Sequence, residues 1–111
     1  MTATPSPTIP TSTSPSPHSN PPLFPLGQLL ATPGAIALLN DLGRTPFEFV
    51  TRHRSGDWGA LDEEDVQANV AALHYGYRLL SSYDLGGDGQ KLWIITEADR
   101  SATTLLLPEE Y

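Results

Sequence analysis

The chain has no cysteine, a single lysine and no apolar run long enough to span a membrane. Without cysteine, disulfides and thiolate chemistry are excluded, and the composition fits a reducing compartment. Without roughly 20 consecutive apolar residues no segment is expected to cross a bilayer as a helix. The chain is therefore expected to be soluble and cytoplasmic, with no membrane partner. Basic residues are also scarce. Six Lys and Arg against thirteen Asp and Glu give a formal net charge of −7, which argues against a partner held by phosphate neutralisation. Of the six, only Arg52 and Arg54 are close in sequence. A DNA partner is not expected, although folding could still gather a small cationic pocket.

The beginning of the chain lacks charge altogether. Residues 1 to 22, MTATPSPTIPTSTSPSPHSNPP, are almost entirely Ser, Thr and Pro, with too little apolar surface to offset the entropy lost on ordering. The stretch has neither the basic start and apolar centre of a secretory signal nor the arginines of a transit peptide. Residues 1–25 are expected to be a disordered, partly polyproline-like tail. Residues 26–111 are expected to form one small domain.

What is present in that domain reads as helices first and strands second. Thr32 can cap a helix over about 33 to 42, with Pro33 at its first position and Gly43 as terminator. Thr45-Pro46-Phe47-Glu48 repeats the start, with Glu48 placed to exchange backbone bonds with the cap. On this second helix Phe47, Val50 and His53 share a face with Phe49 to one side, and the helix should fail near Ser55-Gly56. A third helix follows Asp62, with Glu63, Glu64 and Asp65 favouring the positive end of its dipole. Val66, Val70, Leu73 and Tyr77 carry its apolar spacing, and Gly76 can end it. The period then changes to two: Leu79, Ser81, Tyr83 and Leu85 alternate with their neighbours, GGDGQ supplies a reversal, KLWIITE reads as a central strand, and ATTLLL returns before Pro108. These observations predict an α+β fold of three short helices followed by a three-stranded antiparallel β-meander, with the helices on one sheet face.

The blocks LGQLLATPGA (26–35), RHRSGDWG (52–59), RLLSSY (78–83) and LWIITEADRSATTLLLPEEY (92–111) resemble a family of small proteins borne by bacterial plasmids, integrating elements and phages. These are the plasmid-related proteins, some of which carry the label of a type I restriction endonuclease subunit M. The resemblance covers nearly everything after residue 25. It implies a mobile-element accessory protein linked to a restriction-modification, plasmid or phage system, and attaches no activity to any motif. The Ser/Thr/Pro stretch departs from the family's usual short start. Methyl transfer by this chain is not expected, because the ordered region is too short for a nucleotide-binding α/β sheet, and Asn20-Pro21-Pro22-Leu23 ends in leucine where that chemistry uses an aromatic residue.

Two functional readings follow. In the first, the chain is a protein-interaction module for a host or element-encoded partner. Asp62, Glu63, Glu64 and Asp65, with Glu109 and Glu110 if the fold brings them close, would steer association with a basic surface, and Asp57 and Trp58 would be further contact residues. A DNA mimic is a narrower version, less favoured because the acids form no extended stripe. In the second, His53 at a helix end ahead of antiparallel strands looks like the layout of metal-independent ribonuclease toxins of the barnase, colicin and EndoU type. There a histidine moves a proton, an arginine stabilises the phosphate and strand hydroxyls orient it. His53, Arg52 or Arg54, Arg78, Tyr83 and Thr104 would fill these roles, with RNA as substrate. The residues also have structural uses: His53 can pack near the last carbonyls of its helix with its arginines solvated, and the glycines around Trp58 can fold the indole inward as a clasp, with Asp57 bonded to loop donors. Those uses favour the interaction reading over the enzyme. No metal site and no cofactor are expected, since the acidic cluster matches no calcium loop.

Overall fold

A computed structural model describes residues 21–86 and 89–111. Expectations for residues 1–20, and part of the GGDGQ reversal, lie outside the described residues.

Caps and terminators divide the first half of the domain. Helix α1 (Pro33–Leu42) starts where Thr32 Oγ1 accepts the Ala35 N–H at 3.1 Å, and ends at Gly43, whose φ of 67° is left-handed. Helix α3 (Glu63–Tyr75) is capped by Asp62, which accepts the Asp65 N–H at 2.8 Å, and ends at Gly76. Helix α2 (Pro46–Arg54) departs from expectation at its start. Thr45 makes no side-chain cap bond, and Glu48 instead pairs with Arg44 one turn back. The guanidinium offers the carboxylate a charge-assisted bond, stronger than a neutral backbone donor would give. The buried face of α2 is also different: Phe49, Val50 and His53 are buried, whereas Phe47 is 70 % exposed. Residues 49, 50 and 53 satisfy helical spacing as well as 47, 50 and 53 do, so periodicity alone could not choose between the two faces.

The sheet corrects the predicted meander. It has four strands, β1 (Gln28–Ala31), β2 (Leu79–Asp84), β3 (Lys91–Thr96) and β4 (Ala102–Leu106), in the order β1-β4-β3-β2. The β2–β3 and β3–β4 pairs are antiparallel as expected, but β1 precedes the helices and lies parallel to β4. Its sequence, QLLA, is too short to show alternation, and the three helices with the β2–β3 hairpin form the long connection that a parallel pair requires. The ordered part also begins before residue 26. Phe24 is buried, stacked at 6.3 Å on Trp58, because an aromatic ring within reach of an apolar hollow gains from burial whatever the composition around it.

One face of the sheet is covered by helices. Leu92 and Ile94 of β3, Leu105 of β4 and Tyr83 of β2 pack with Ala35 and Leu39 of α1 and Phe49 and Val50 of α2. A second cluster of Phe24, Trp58, Ala72 and Leu79 joins the loop after α2 to α3. Among the expected apolar stripe of α3, Val70 and Tyr77 are exposed, and the fully buried residues are Ala72 and Asn69. Asn69 is there for a polar reason. Its amide donates to the Leu80 carbonyl at 2.6 Å and accepts the Leu80 N–H at 3.1 Å, closing the outer edge of β2. Arg100 performs a similar joining task from the β3–β4 turn, donating to the carbonyls of Ala72 at the end of α3, Tyr77, Glu97 and Ala98.

Replacing Asn69 by Leu keeps volume but leaves both Leu80 backbone groups without their partner. Stability should fall by about 2 kcal/mol, the scale for losing such bonds at a partly buried site. A urea midpoint equal to that of the parent would show that water replaces the amide without loss.

Candidate functional site

His53 is the most enclosed titratable side chain of the domain, with 0 % of its surface exposed. Near the end of α2 it enters the sheet between the edges of Phe24 and Trp58, with ring centroids at 5.2 and 5.7 Å. Its Nδ1 lies 2.5 Å from Ser81 Oγ on β2, and its Nε2 lies 2.9 Å from Thr96 Oγ1 on β3. Thr96 Oγ1 is 2.7 Å from Thr103 Oγ1 on β4, and Thr103 donates to the Leu26 carbonyl at 2.7 Å. Donor counting fixes the direction of this row. Thr103 uses its proton on Leu26, so it accepts from Thr96. Thr96 then accepts from Nε2–H, and Nδ1 accepts from Ser81. The imidazole is thus the neutral Nε2–H tautomer. Burial pushes its pKa down to about 4 from 6.5, since the protonated ring would be stranded away from water.

The residues around this row hold the segment that follows α2. Arg52 pairs with Asp57 at 2.7 Å and sits 4.6 Å above the Tyr83 ring, while the Tyr83 hydroxyl donates to the Asp57 carbonyl at 2.7 Å. Asp57 also accepts the Gly59 N–H at 3.2 Å. Its carboxyl is held below the usual range chiefly by the Arg52 bond, and burial raises the Tyr83 hydroxyl. Gly56 and Gly59 have φ of 92° and 78°, and a Cβ on Gly59 would meet the Ser82 carbonyl oxygen. These two positions let the chain turn so that Trp58, 7 % exposed, packs inward and Gly59 bridges to Ser82 of β2. Trp58 is thereby withdrawn from any binding surface, and Asp57 is held within the loop.

Of the residues proposed for RNA cleavage, Arg52 and Tyr83 are brought together and the others are apart. His53 and Tyr83 are buried on the helix-covered side, and Arg52 is paired with Asp57. Arg54 lines a hollow of Pro22, Leu23, Phe24, Pro25 and Leu26, and among the described residues that line it no other carries an acid or base. Arg78 lies at the opposite face, donating to Tyr111 Oη at 2.8 Å. Thr104 follows Thr103, which faces His53, so its side chain points to the other side of the sheet. The strand hydroxyls that do meet the histidine are those of Ser81 and Thr96, with Thr103 joined through Thr96; Thr96 carried no signal in the sequence, because a threonine at the end of an apolar strand has no marked partner until the strands are paired.

The other face of the sheet carries a different constellation. Cross-strand register lines up Leu80, Ile95, Thr104 and Leu30 in one row, and Ser82, Trp93 and Leu106 in the next. The core formed with α1 and α2 lies on the other face, while Ile95, Leu106 and Ser82 of these rows are buried and the turn Pro108–Glu110 that leads to Tyr111 lies against β3. Trp93 is half-buried, with Tyr111 edge-on at 5.8 Å. On one side of Trp93, with Leu80 and Lys91, a shallow hollow is bordered by Asp62 and Asp65; on the other, with Ile95 and Tyr111, a second is bordered by Arg78. Glu63 and Glu64 are exposed on the same first turn of α3. Glu110 does not join this acidic end. It accepts from Thr32 Oγ1 at 2.5 Å and from the Leu107 N–H at 2.8 Å, tying the C-terminal turn to the start of α1. Among the described residues no group of three or more His, Asp or Glu side chains is placed to hold a metal ion, and no helix is long and apolar enough to cross a membrane. Comparison of the chain with known protein families, curated proteins and solved structures finds no match.

Two measurements test the buried row. The unfolded chain takes up a proton on His53 near pH 6.5 and the folded chain only near 4, so stability from this group is complete above pH 6.5 and declines as pH falls toward 4. About 2 to 3 kcal/mol should disappear between pH 7 and 4.5, from the difference in pKa. His53→Leu should be less stable overall yet flat across that window, and an equally steep decline in the variant would assign it to other groups. Trp58→Ala should lower stability by about 3 kcal/mol, as for aromatic truncation in cores, read from the denaturation midpoint.

Proposed function

We propose that this chain is a protein-interaction module whose contact surface is the face of the sheet opposite α1 and α2, centred on Trp93. The observation that carries the reading is the half-buried Trp93 beside Tyr111, set between hollows bordered by Asp62 and Asp65 on one side and by Arg78 on the other. Large amphipathic rings at the centre of a patch provide most of the energy of many protein interfaces, while rim charges set approach and register. The partner that suits this surface presents apolar side chains to Trp93 and Leu80 and basic side chains to Asp62, Glu63, Glu64 and Asp65. An accessory role in a mobile element, with a host or element-encoded protein as partner, agrees with the family that the sequence blocks resemble. A link to a restriction-modification system is the narrowest form of the proposal.

Hydrolysis of RNA is the less supported reading, because a neutral imidazole with both nitrogens engaged and no exposed surface has no route for exchanging protons with a substrate.

The test is capture of a partner from a bacterial host by the tagged full chain, followed by affinity measurement. Trp93→Ala should weaken the complex at least 30-fold, the effect of losing a central anchor. Asp62→Asn with Asp65→Asn should mainly slow association and reduce its salt dependence, since Asn still caps α3. Retention of full affinity by Trp93→Ala would remove the proposed surface. RNA cleaved without metal by the parent and left intact by a folded His53→Ala would replace the whole reading with the enzymatic one.

A further inference from the structure

The two edges of the sheet are finished differently. On β2 the outward backbone groups are occupied: those of Leu80 by the Asn69 amide, and those of Ser82 by Trp58, whose carbonyl accepts at 3.0 Å, and by Ala60, whose N–H donates at 2.6 Å. On β1 the Gln28 N–H donates to Ser101 and the Thr32 N–H to Leu105. Even-numbered residues therefore direct their backbone to β4, and Leu29 and Ala31 direct theirs away from the sheet. Among the described residues nothing bonds to those outward groups. Leu29 and Leu30 are 44 % and 43 % exposed, and Phe47, the most exposed apolar residue of α2, lines the same shallow depression. The usual guards of an open edge are a lysine, a proline, a bulge or a covering segment. β1 has no lysine or proline, and the first Asp, Glu, Lys or Arg of the chain is Asp41.

We propose that β1 is the contact between two copies of this chain, pairing antiparallel with β1 of a second copy about a twofold axis at Leu30, so that two four-stranded sheets become one continuous sheet. Register follows from the available donors. With Leu29 opposite Ala31 of the second copy, both outward residues of both strands exchange hydrogen bonds and Leu30 faces Leu30 as a non-hydrogen-bonded pair. A shift centred on Leu29 would set Ala31 against Gly27, whose φ of 66° is not that of a strand. A shift centred on Ala31 would set Leu29 against Pro33, which has no N–H. Charge selects a second copy over a different partner. A chain of net charge −7 repels its own kind over most of its surface, and this uncharged edge is where two copies can meet without opposing acids. A basic partner, by contrast, would be drawn to the start of α3.

A chain without cysteine permits a clean test by single substitution in the full-length protein. Leu30→Cys should form a disulfide-linked species of twice the 12.0 kDa chain mass, since Cα atoms of a non-hydrogen-bonded pair lie about 4.5 Å apart. Leu29→Cys and Ala31→Cys, whose thiols would be two positions out of register, should cross-link at least 10-fold more slowly. In sedimentation the parent should dimerise reversibly and more tightly with added salt, and Ala31→Pro, which removes one outward N–H and no internal bond, should weaken the dimer at least 10-fold with its far-ultraviolet spectrum unchanged. The proposal is overturned by a parent that stays monomeric into the high micromolar range, by equal cross-linking at residues 29 and 30, or by a folded Ala31→Pro that dimerises as the parent does. If Ala31→Pro does not fold, the cysteine pattern decides alone.

Discussion

The row of hydrogen bonds through His53 is the constraint on which the rest of the domain depends. A single side chain of α2 reaches hydroxyls on β2 and β3, and through Thr96 and Thr103 it reaches β4 and the carbonyl of Leu26 just ahead of β1. Each donor has one acceptor, so the row is satisfied only as a whole. It also fixes strand register. Thr96 and Thr103 are direct cross-strand partners, and a slip of one residue would turn Thr103 to the opposite face, leaving Thr96 and the imidazole without their acceptors. A wholly apolar interior would tolerate such errors more readily, because hydrophobic contact is indifferent to direction.

With the helix-side face committed to this row and to the aromatic packing around it, what the molecule can offer a partner is confined to its other surfaces. The histidine-arginine segment that draws attention in the sequence is absorbed into structure: Arg52 holds Asp57, Tyr83 holds the Asp57 carbonyl, and Gly59 lets the chain approach Ser82. The opposite face offers the half-buried Trp93 and the exposed Tyr111, and the edge at β1 offers Leu29 and Leu30.

How much of this was legible in sequence depends on the range of the interactions involved. The three helices and the strands β2, β3 and β4 were readable because caps, glycine terminators and alternation are local signals, as at Thr32, Gly43, Asp62 and Gly76. β1 was not, because four residues carry no period and its partner is at the far end of the chain. The buried face of α2 was misassigned since Phe47 and Phe49 fit helical spacing equally well, and the role of Asn69 was hidden because a polar residue in an apolar stripe looks like a surface position. The site was the least legible. Ser81 and Thr96 become partners of His53, and Thr103 of Thr96, only when three strands are in register, and the half-buried place of Trp93 is set only once the helices have chosen the other face.

The parallel pairing of β1 with β4 has a consequence for how the molecule comes into being. Leu26 and Thr103, 77 positions apart, share a hydrogen bond, and among the described strands the one that follows Leu26 borders only β4, the last of the four to be made. On the ribosome the helices and the β2–β3 hairpin can assemble from nearby parts, whereas β1 must wait, apolar and unpaired, until β4 has emerged. Closing so long a loop is an entropic barrier that stability does not lower. Pairing of β1 thus joins the beginning of the domain to its end, and until β4 is made the apolar edge of β1 has no partner within its own chain among the described strands.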